Sequence, residues 1–345
     1  MSTLRTGPLT LRIRTSVSAL SAIFATFFGL VLVTFVIGRA MPIDPVLAIV
    51  GDRATPDVVA RVREEMGLNK PLLDQFWIYL QHIVHGDFGT SVMTGQSVIA
   101  DIRQFFPATL ELATAAIFVA VLVGVPVGVL SAARVGSRLD GLVRVISLSG
   151  QSIPVFVLAL LCLLVFYVRL GVAPGVGQQD VAYEGIVPFV TGALVLDAAL
   201  GGQWDVFRDA LAHLAMPALM LAFVSMSMIV RMTRTFMLDA LATEFVVTAR
   251  AKGLSPMRVV WRHAFANISG RLVVVVALAY AGLLEGSVLT ETVFNWPGLG
   301  QYLTRSLLNA DMNAVLGATL VIGAVYVAAN FVADAAYRLL DPRVK

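Results

Sequence analysis

Six stretches of the chain, 15–38, 112–133, 145–168, 210–230, 272–290 and 312–333, contain no Asp, Glu, Lys or Arg except Glu285. A helix needs about 20 mostly apolar residues to cross the hydrocarbon core of a bilayer. Irregular backbone cannot face lipid, so stretches of this kind cross as helices. The pattern therefore predicts an all-α integral membrane protein with six transmembrane helices. A further apolar run, 185–196, holds twelve residues including Pro188 and is too short to span; it reads as a short helix or loop at the membrane face. Composition agrees: 58% of the 345 residues are apolar and 14% are charged, against about a quarter charged in soluble domains. A net charge of +3 offers nothing to a polyanion, so nucleic acid is not an expected partner.

The first span follows Arg5, Arg12 and Arg14, as a signal peptide would, but its apolar core is about twice a signal h-region. Gly38-Arg39-Ala40 also makes a poor cleavage site, and the segment reads as an uncleaved anchor. Lys and Arg set the orientation. With both termini cytoplasmic, the inner segments hold 16 of these residues and the outer segments 9, much of the latter in the long first loop. The chain then divides into 1–40, the cytoplasmic N-terminus and first helix; 41–106, an extracytoplasmic subdomain; 107–338, a core of five spans; and 339–345, a cytoplasmic tail. Within 41–106 the run Leu72 to Val84 sets Leu73, Phe76, Trp77, Leu80 and Val84 at helical spacing, predicting an amphipathic helix on the membrane surface. The loop 171–209 is acidic and rich in glycine.

The cytoplasmic loop 235–268 is the most structured in appearance. Small residues at 248, 249 and 251 precede Gly253, which suits the position just past a helix end, and Ser255-Pro256 reads as a helix restart with Ser as N-cap and Pro at the first position. A second short helix is expected over 256–266. Two short helices with an Ala/Gly elbow make a knob that a groove on a partner can receive; a plain solvated positive loop is the alternative.

Ionisable groups inside apolar spans are costly and point to function by default. Glu285 lies deepest and is a candidate for a path-facing group that meets a substrate amine; a helix–helix hydrogen bond is the alternative. Glu111 and Glu291 lie near outer span ends, as path candidates or as caps bonding their neighbours, and Asp334 is placed to pair with Arg338. The run Phe294 to Gly300 is a rigid turn, read either as an outer gate or receptor surface, or as an interfacial Trp anchor. His82 and His85 lack a visible third ligand, so no metal site is expected, and the single Cys162 excludes an intramolecular disulfide. None of the three lysines precedes Ser or Thr, so the chain has no P-loop, and it contains neither G-x-S-x-G nor H-E-x-x-H. No enzyme activity is expected of it.

The sequence "TARAKGLS" at 248–255, with "VRMTR" at 230–234, resembles the coupling loop of permease subunits of the dipeptide/oligopeptide (peptide/nickel) ABC importers. "GLNKPLLDQFWIYL" (67–80), "HGDFGTS" (85–91), "PATLELA" (107–113), "SIPVF" (152–156), "LTETVFNWPGLGQYL" (289–303) and "LLDPRVK" (339–345) resemble the same family in the same order. The resemblance implies the type I ABC importer permease fold, in the bacterial inner membrane. It implies a second homologous permease, two P-loop ATPases that hold ATP and Mg, and a periplasmic binding protein, with no cofactor in this chain. By the same resemblance the ATPase-coupling residues are Glu244, Thr248, Ala249, Arg250, Ala251, Lys252, Gly253, Leu254 and Ser255, with Ala249 and Gly253 as contact points. The family's Leu-Pro after the second coupling helix is replaced by Gly270-Arg271. The expected substrate is a di- or oligopeptide taken up by alternating access. Nickel, glutathione or another small molecule is the alternative within the family, and a self-sufficient secondary transporter the alternative outside it.

Overall fold

The computed structural model describes residues 8–40, 45–51, 54–65 and 67–340; side chains are described for 21, 24–39, 46–47, 50–51, 54–64, 67–333 and 335. The tail 341–345, the Asp334–Arg338 pair and the N-terminal arginines lie outside the described side chains. Helices account for nearly all regular structure, and among the described residues the β-structure is one isolated bridge, Thr90 to Ser97. The chain forms two compact units, one of residues 1–101 with 305–327 and one of 102–304 with 328–345.

In the first unit, α1 (Pro8–Ala40) is followed by α2 (Pro45–Val50), α3 (Pro56–Glu65) and α4 (Leu72–Val84). The amphipathic run has the bounds that its periodicity predicts. Pro71 starts it, and the buried Gln75 amide holds the preceding turn by donating to the carbonyls of Lys70 (2.7 Å) and Leu68 (3.1 Å). Its apolar residues divide between two directions. Phe76 packs edge-on against Phe28 and Phe35 of α1 and Tyr79 lies tilted against Phe35, while Leu73, Trp77 and Val84 stay exposed. Phe28 lies twelve residues before the end of α1, about 18 Å along its axis. Helix α4 therefore runs against the apolar body of α1 as well as presenting an outer face. The "HGDFGTS" loop is fixed by Asp311, which accepts from the Ser91 hydroxyl (2.5 Å) and the Met93 amide (3.1 Å). His82 bonds Asp87 and His85 bonds the Gln81 carbonyl, so neither ring is idle.

The second unit is built on α5 (Val98–Ala133), α6 (Arg138–Ser152), α7 (Val155–Cys162), α8 (Leu194–Leu200), α9 (Trp204–Leu241), α10 (Glu244–Ala251), α11 (Pro256–Arg258), α12 (Ala266–Val293) and most of α13 (Leu299–Leu308); α14 (Met312–Leu340) runs through both units. Among the described residues, four helical stretches are long and apolar enough to cross a membrane, against the six expected: Val98–Ala133, Trp204–Leu241, Pro256–Val293 and Met312–Ala333. Helix α1 carries a further apolar stretch, Phe24–Arg39.

Two expectations are corrected. The stretch 145–168 is not one straight span: α6 and the helix Val155–Arg169 meet at 102°. Pro154 has no amide to donate and forces Ile153 out of the helical region, to φ −89° and ψ 123°. Nor does a short helix end at 266. Pro256–Val293 is continuous, with a π-helical stretch over Val259–Phe265 between α11 and α12. Gly270 carries no break, and Arg271 lies over the Phe236 ring of α9 at 4.9 Å, so its charge is held by an aromatic face at the membrane edge. The segment 185–196 is loop leading into α8.

Candidate functional sites

The cytoplasmic knob is closed by its own backbone. Gly253 has φ +74°, and the Gly253 and Leu254 amides donate to the carbonyls of Arg250 (2.9 Å) and Ala249 (3.3 Å). These are the two bonds of a Schellman motif, which needs a left-handed residue at the position Gly253 occupies. A Cβ on Gly253 would meet no atom within 4 Å, so the glycine is required by φ and not by space. Pro256 stands at the first position of α11 as expected, and Ser255 at its N-cap, but the Ser255 side chain makes no capping bond. Thr248 likewise turns its hydroxyl to the Glu244 carbonyl (3.0 Å).

The knob's surface differs from the expected contact set at Ala249, which is 6% exposed and faces its own chain together with Val246. Small size at 249 serves the packing of α10 onto the π-helical stretch. Glu244, Thr248, Arg250, Ala251, Lys252, Gly253 and Ser255 are exposed and Leu254 is half-buried. Three apolar side chains outside the expected set are exposed beside them: Phe245, Val247 and Met257. Nothing in the sequence separates them from Val246 and Leu254 of the same loop, which are buried and half-buried. The surface thus combines an apolar triplet with Arg250, Lys252 and Arg258.

Above the knob, Arg234 of "VRMTR" forks onto Asp140, Nε to Oδ1 at 2.7 Å and Nη2 to Oδ2 at 3.0 Å. The Asp140 carboxylate also accepts from Ser131 (2.7 Å) and the Gly136 amide (3.1 Å), while its own amide is capped by Ser137. One buried carboxylate therefore joins α5, the 134–137 turn, α6 and α9. The Ser-x-x-Asp spacing at 137–140 is the signal in sequence, marking a helix start with Ser137 as N-cap; the partner 94 residues away has none.

The three intramembrane glutamates divide sharply. Glu291 is fully buried. It accepts from Thr109 (2.8 Å), Ser287 (2.8 Å) and the Gln301 amide (3.0 Å), with the Gly300 amide also donating. Trp296 is buried too, its indole N–H bonding the Ala108 carbonyl (2.9 Å), and Leu299 donates to Thr109 (2.8 Å). "PATLELA" and "FNWPGLGQ" are therefore one hydrogen-bonded joint between α5 and the end of α12, and Trp296 is an internal tie, not an interfacial anchor. Glu111 accepts from the Val195 amide (2.8 Å) and Gln178 (3.1 Å), capping the start of α8. Among the described residues both act as holding groups. Asp197 gathers Thr191, Val190 and Gly192 donors in the same loop.

Glu285 is the exception. It is exposed and has no hydrogen-bond or ion-pair partner among the described residues. Beside it a cavity of about 710 Å³ lies in the elbow of the α6–α7 bend, walled by Gln151, Ser152, Ser225 and Met228 and by Gly282 and Gly286 of α12.

Comparisons with known proteins agree with this architecture. Residues 124–345 match the family described as binding-protein-dependent transport system inner membrane component, and residues 11–113 match its N-terminal companion family. The chain is 42% identical to the probable D,D-dipeptide transport system permease protein DdpB of Escherichia coli K12, across 92% of this chain and 93% of that one. It is 39% identical to the di/tripeptide transport system permease protein DppB of Pseudomonas aeruginosa UCBPP-PA14, across 94% and 97%. It is 36% identical to the dipeptide transport system permease protein DppB of E. coli K12, again across 94% and 97%. Among solved structures, a chain of the MetNI methionine ABC transporter in an inward-facing form matches with a TM-score of 0.50 at 21% identity, covering 68% of this chain and 93% of that one, which identifies the fold as that of a type I ABC importer permease. With its helices long and apolar enough to span a membrane, its two family matches and relatives that match more than nine-tenths of its length, this chain belongs to the inner membrane components of binding-protein-dependent transport systems.

Proposed function

We propose that this chain is one of two permease subunits of an ATP-driven importer of di- or oligopeptides, forming half of the translocation path by alternating access. The reading is carried by identity of 36–42% over more than nine-tenths of the chain to three permeases named for dipeptide or di/tripeptide transport. The partners are a second homologous permease, two P-loop ATPases holding ATP and Mg, and a periplasmic binding protein. Both termini lie in the cytoplasm. The knob at 243–258 docks into the ATPase through Phe245, Val247 and Met257, with Arg250 and Lys252 toward acidic groups. ATP-driven closure of the ATPases presses on the knob and turns the spans outward, and hydrolysis resets them.

The test is purification of the tagged chain in mild detergent, identification of each co-purifying protein by mass, and reconstitution with the binding protein. A second permease and a P-loop ATPase pair, with peptide uptake that stops when ATP is withheld, is the expected result. A chain that purifies alone and transports under an ion gradient without ATP would overturn the importer reading. An ATP-dependent complex that moves nickel or glutathione but no peptide would overturn the substrate.

A further inference from the structure

Resting on that peptide reading, we infer that Glu285 is the acidic group on this subunit's wall of the path that receives the free ammonium of the travelling peptide. Eight residues separate Glu285 from Val293 at the end of α12, about 12 Å of helix, so the carboxylate sits within the apolar span. A carboxylate at that depth does not face acyl chains; it faces water or a cation. Among the described residues it faces no cation. The neighbouring basic group on its own helix is Arg271, fourteen residues toward the cytoplasm and stacked on Phe236.

The helix face carries the argument further. Leu278, Gly282, Glu285, Gly286 and Leu289 are all exposed, and they recur at the spacing of a single helical face. At 100° per residue Glu285 lies about 20° from Leu278 and about 60° from Gly282. Both of those residues line the cavity at the α6–α7 elbow. Glu285 thus stands on the rim of a space of about 710 Å³ whose other polar groups, Gln151, Ser152 and Ser225, are neutral. The two glycines leave the backbone bare, and a methyl group added at either would meet no atom within 4 Å, so a ligand can lie close to α12 beside the carboxylate. Gln151 is shared with a narrower groove toward the cytoplasm that carries Arg231 together with Arg144 and Arg234; the latter two share the buried Asp140 carboxylate, so the groove keeps a net positive charge carried outside that cluster by Arg231. The wall is therefore acidic toward its outer end and basic toward its inner end. A ligand with a free amine is attracted at the first and one with a carboxylate at the second, which is the charge pattern of a peptide.

The experiment complements a strain lacking the importer with the full set of subunits, this chain being wild type or Glu285→Gln, Glu285→Asp or Glu285→Lys. It reads uptake of radiolabelled L-Ala-L-Ala at limiting concentration and, on the same membranes, co-purification of the second permease and the ATPases. A charge-assisted hydrogen bond lost with the neutral isostere lowers uptake by about tenfold. Glu285→Asp recovers most of the rate, Glu285→Lys falls below Glu285→Gln, and all four complexes stay assembled. Wild-type uptake by Glu285→Gln in an assembled complex overturns the inference and leaves the peptide reading standing. Loss of the second permease from the Glu285→Gln complex also overturns it, since the carboxylate is then an assembly contact. Absence of uptake by the wild type overturns the peptide reading, and this inference falls with it.

Discussion

Removing the Glu291 carboxylate tests the joint between α5 and the end of α12, because two kinds of donor converge on it. Thr109 and Ser287 offer hydroxyls at 2.8 Å, which rotate and can equally accept. Gln301 and Gly300 offer backbone amides, which cannot. In Glu291→Ala both amides are orphaned in a buried site, each at about 1–3 kcal/mol, giving about 2–6 kcal/mol before any cavity cost. In Glu291→Gln the carbonyl can face the two amides while the NH2 donates to the two hydroxyls. Thr109 already accepts from the Leu299 amide, so it takes a second donor and its own proton loses a partner, at about 1 kcal/mol. Melting of the purified protein in detergent should therefore fall by on the order of 10 °C for Glu291→Ala and by a few degrees for Glu291→Gln. Equal damage from the two variants would refute the distinction between rotating and fixed donors. An Ala variant that melts with the wild type would refute the joint itself.

Other consequences follow from the same kind of accounting. Arg234→Met leaves the buried Asp140 charge without its fork and should destabilise by about 2 kcal/mol, whereas the Asp140→Asn, Arg234→Met double variant should lose less than the sum of the singles; strict additivity in detergent melting would show that the pair is not coupled. Gly253→Ala should cost about 1 kcal/mol through φ alone, since nothing crowds the new methyl, and Gly253→Asp should abolish uptake while leaving the protein in the membrane; normal uptake would remove the docking role of the elbow. For Asp197, burial raises the pKa, but the bonds from Thr191, Val190 and Gly192 outweigh it and hold the carboxyl below its ordinary range. A folded pKa below the unfolded value near 3.9 contributes stability that is present above about pH 4 and lost as pH falls through the folded pKa. The melting gap between wild type and Asp197→Asn should therefore be wide at neutral pH and close below about pH 4; a gap independent of pH would show that the charge contributes nothing.

How far the sequence could be read depended on the range of the interaction. Local pattern was enough for α4, whose bounds follow from Pro71 and a 3.6-residue period, and for the knob, where Gly253 and Ser255-Pro256 mark an end and a start. It failed at Pro154, because a window of apolar residues does not register a missing amide, although the proline stands in plain view in "SIPVF". It failed again at 266, where a short helix is expected to end: π-helical turns over Val259–Phe265 lead without a break into α12. Glu285 and Glu291 look alike in sequence, each an acid among apolar residues. Six residues of helix set them about 120° apart. One consequently turns into a joint with a threonine 182 positions earlier, and the other turns out of its own chain. Nothing in a single sequence marks Thr109 as that partner.

The continuity of Pro256–Val293 bears on how the knob can act at a distance. Thirty-eight residues make a rod of about 57 Å, longer than the hydrocarbon core. Its outer end is fastened to α5 through Glu291 and Thr109, and a second bond joins the two helices at Tyr280 and Thr114, 3.0 Å apart. Its inner end is fastened to the knob through the π-helical stretch, where Val259 and Ala264 are buried. A rod held at its outer end and pushed at its inner end pivots about the held end. The displacement is then greatest at the cytoplasmic side and smallest at Glu291. On the proposed coupling mechanism, Gly282 and Gly286, which wall the cavity, lie on the short arm and swing little while the knob moves far. The family's Leu-Pro would bend the rod between knob and cavity; Gly270-Arg271 does not, so here the π-helical turns at 259–265 are the remaining place for slack. Replacing the Trp261–Phe265 ring contact, 5.4 Å between centroids, with two alanines should loosen that stretch. If the stretch is the slack element, peptide uptake should fall while ATP hydrolysis continues, and a variant in which both activities fall in proportion would place the transmission elsewhere.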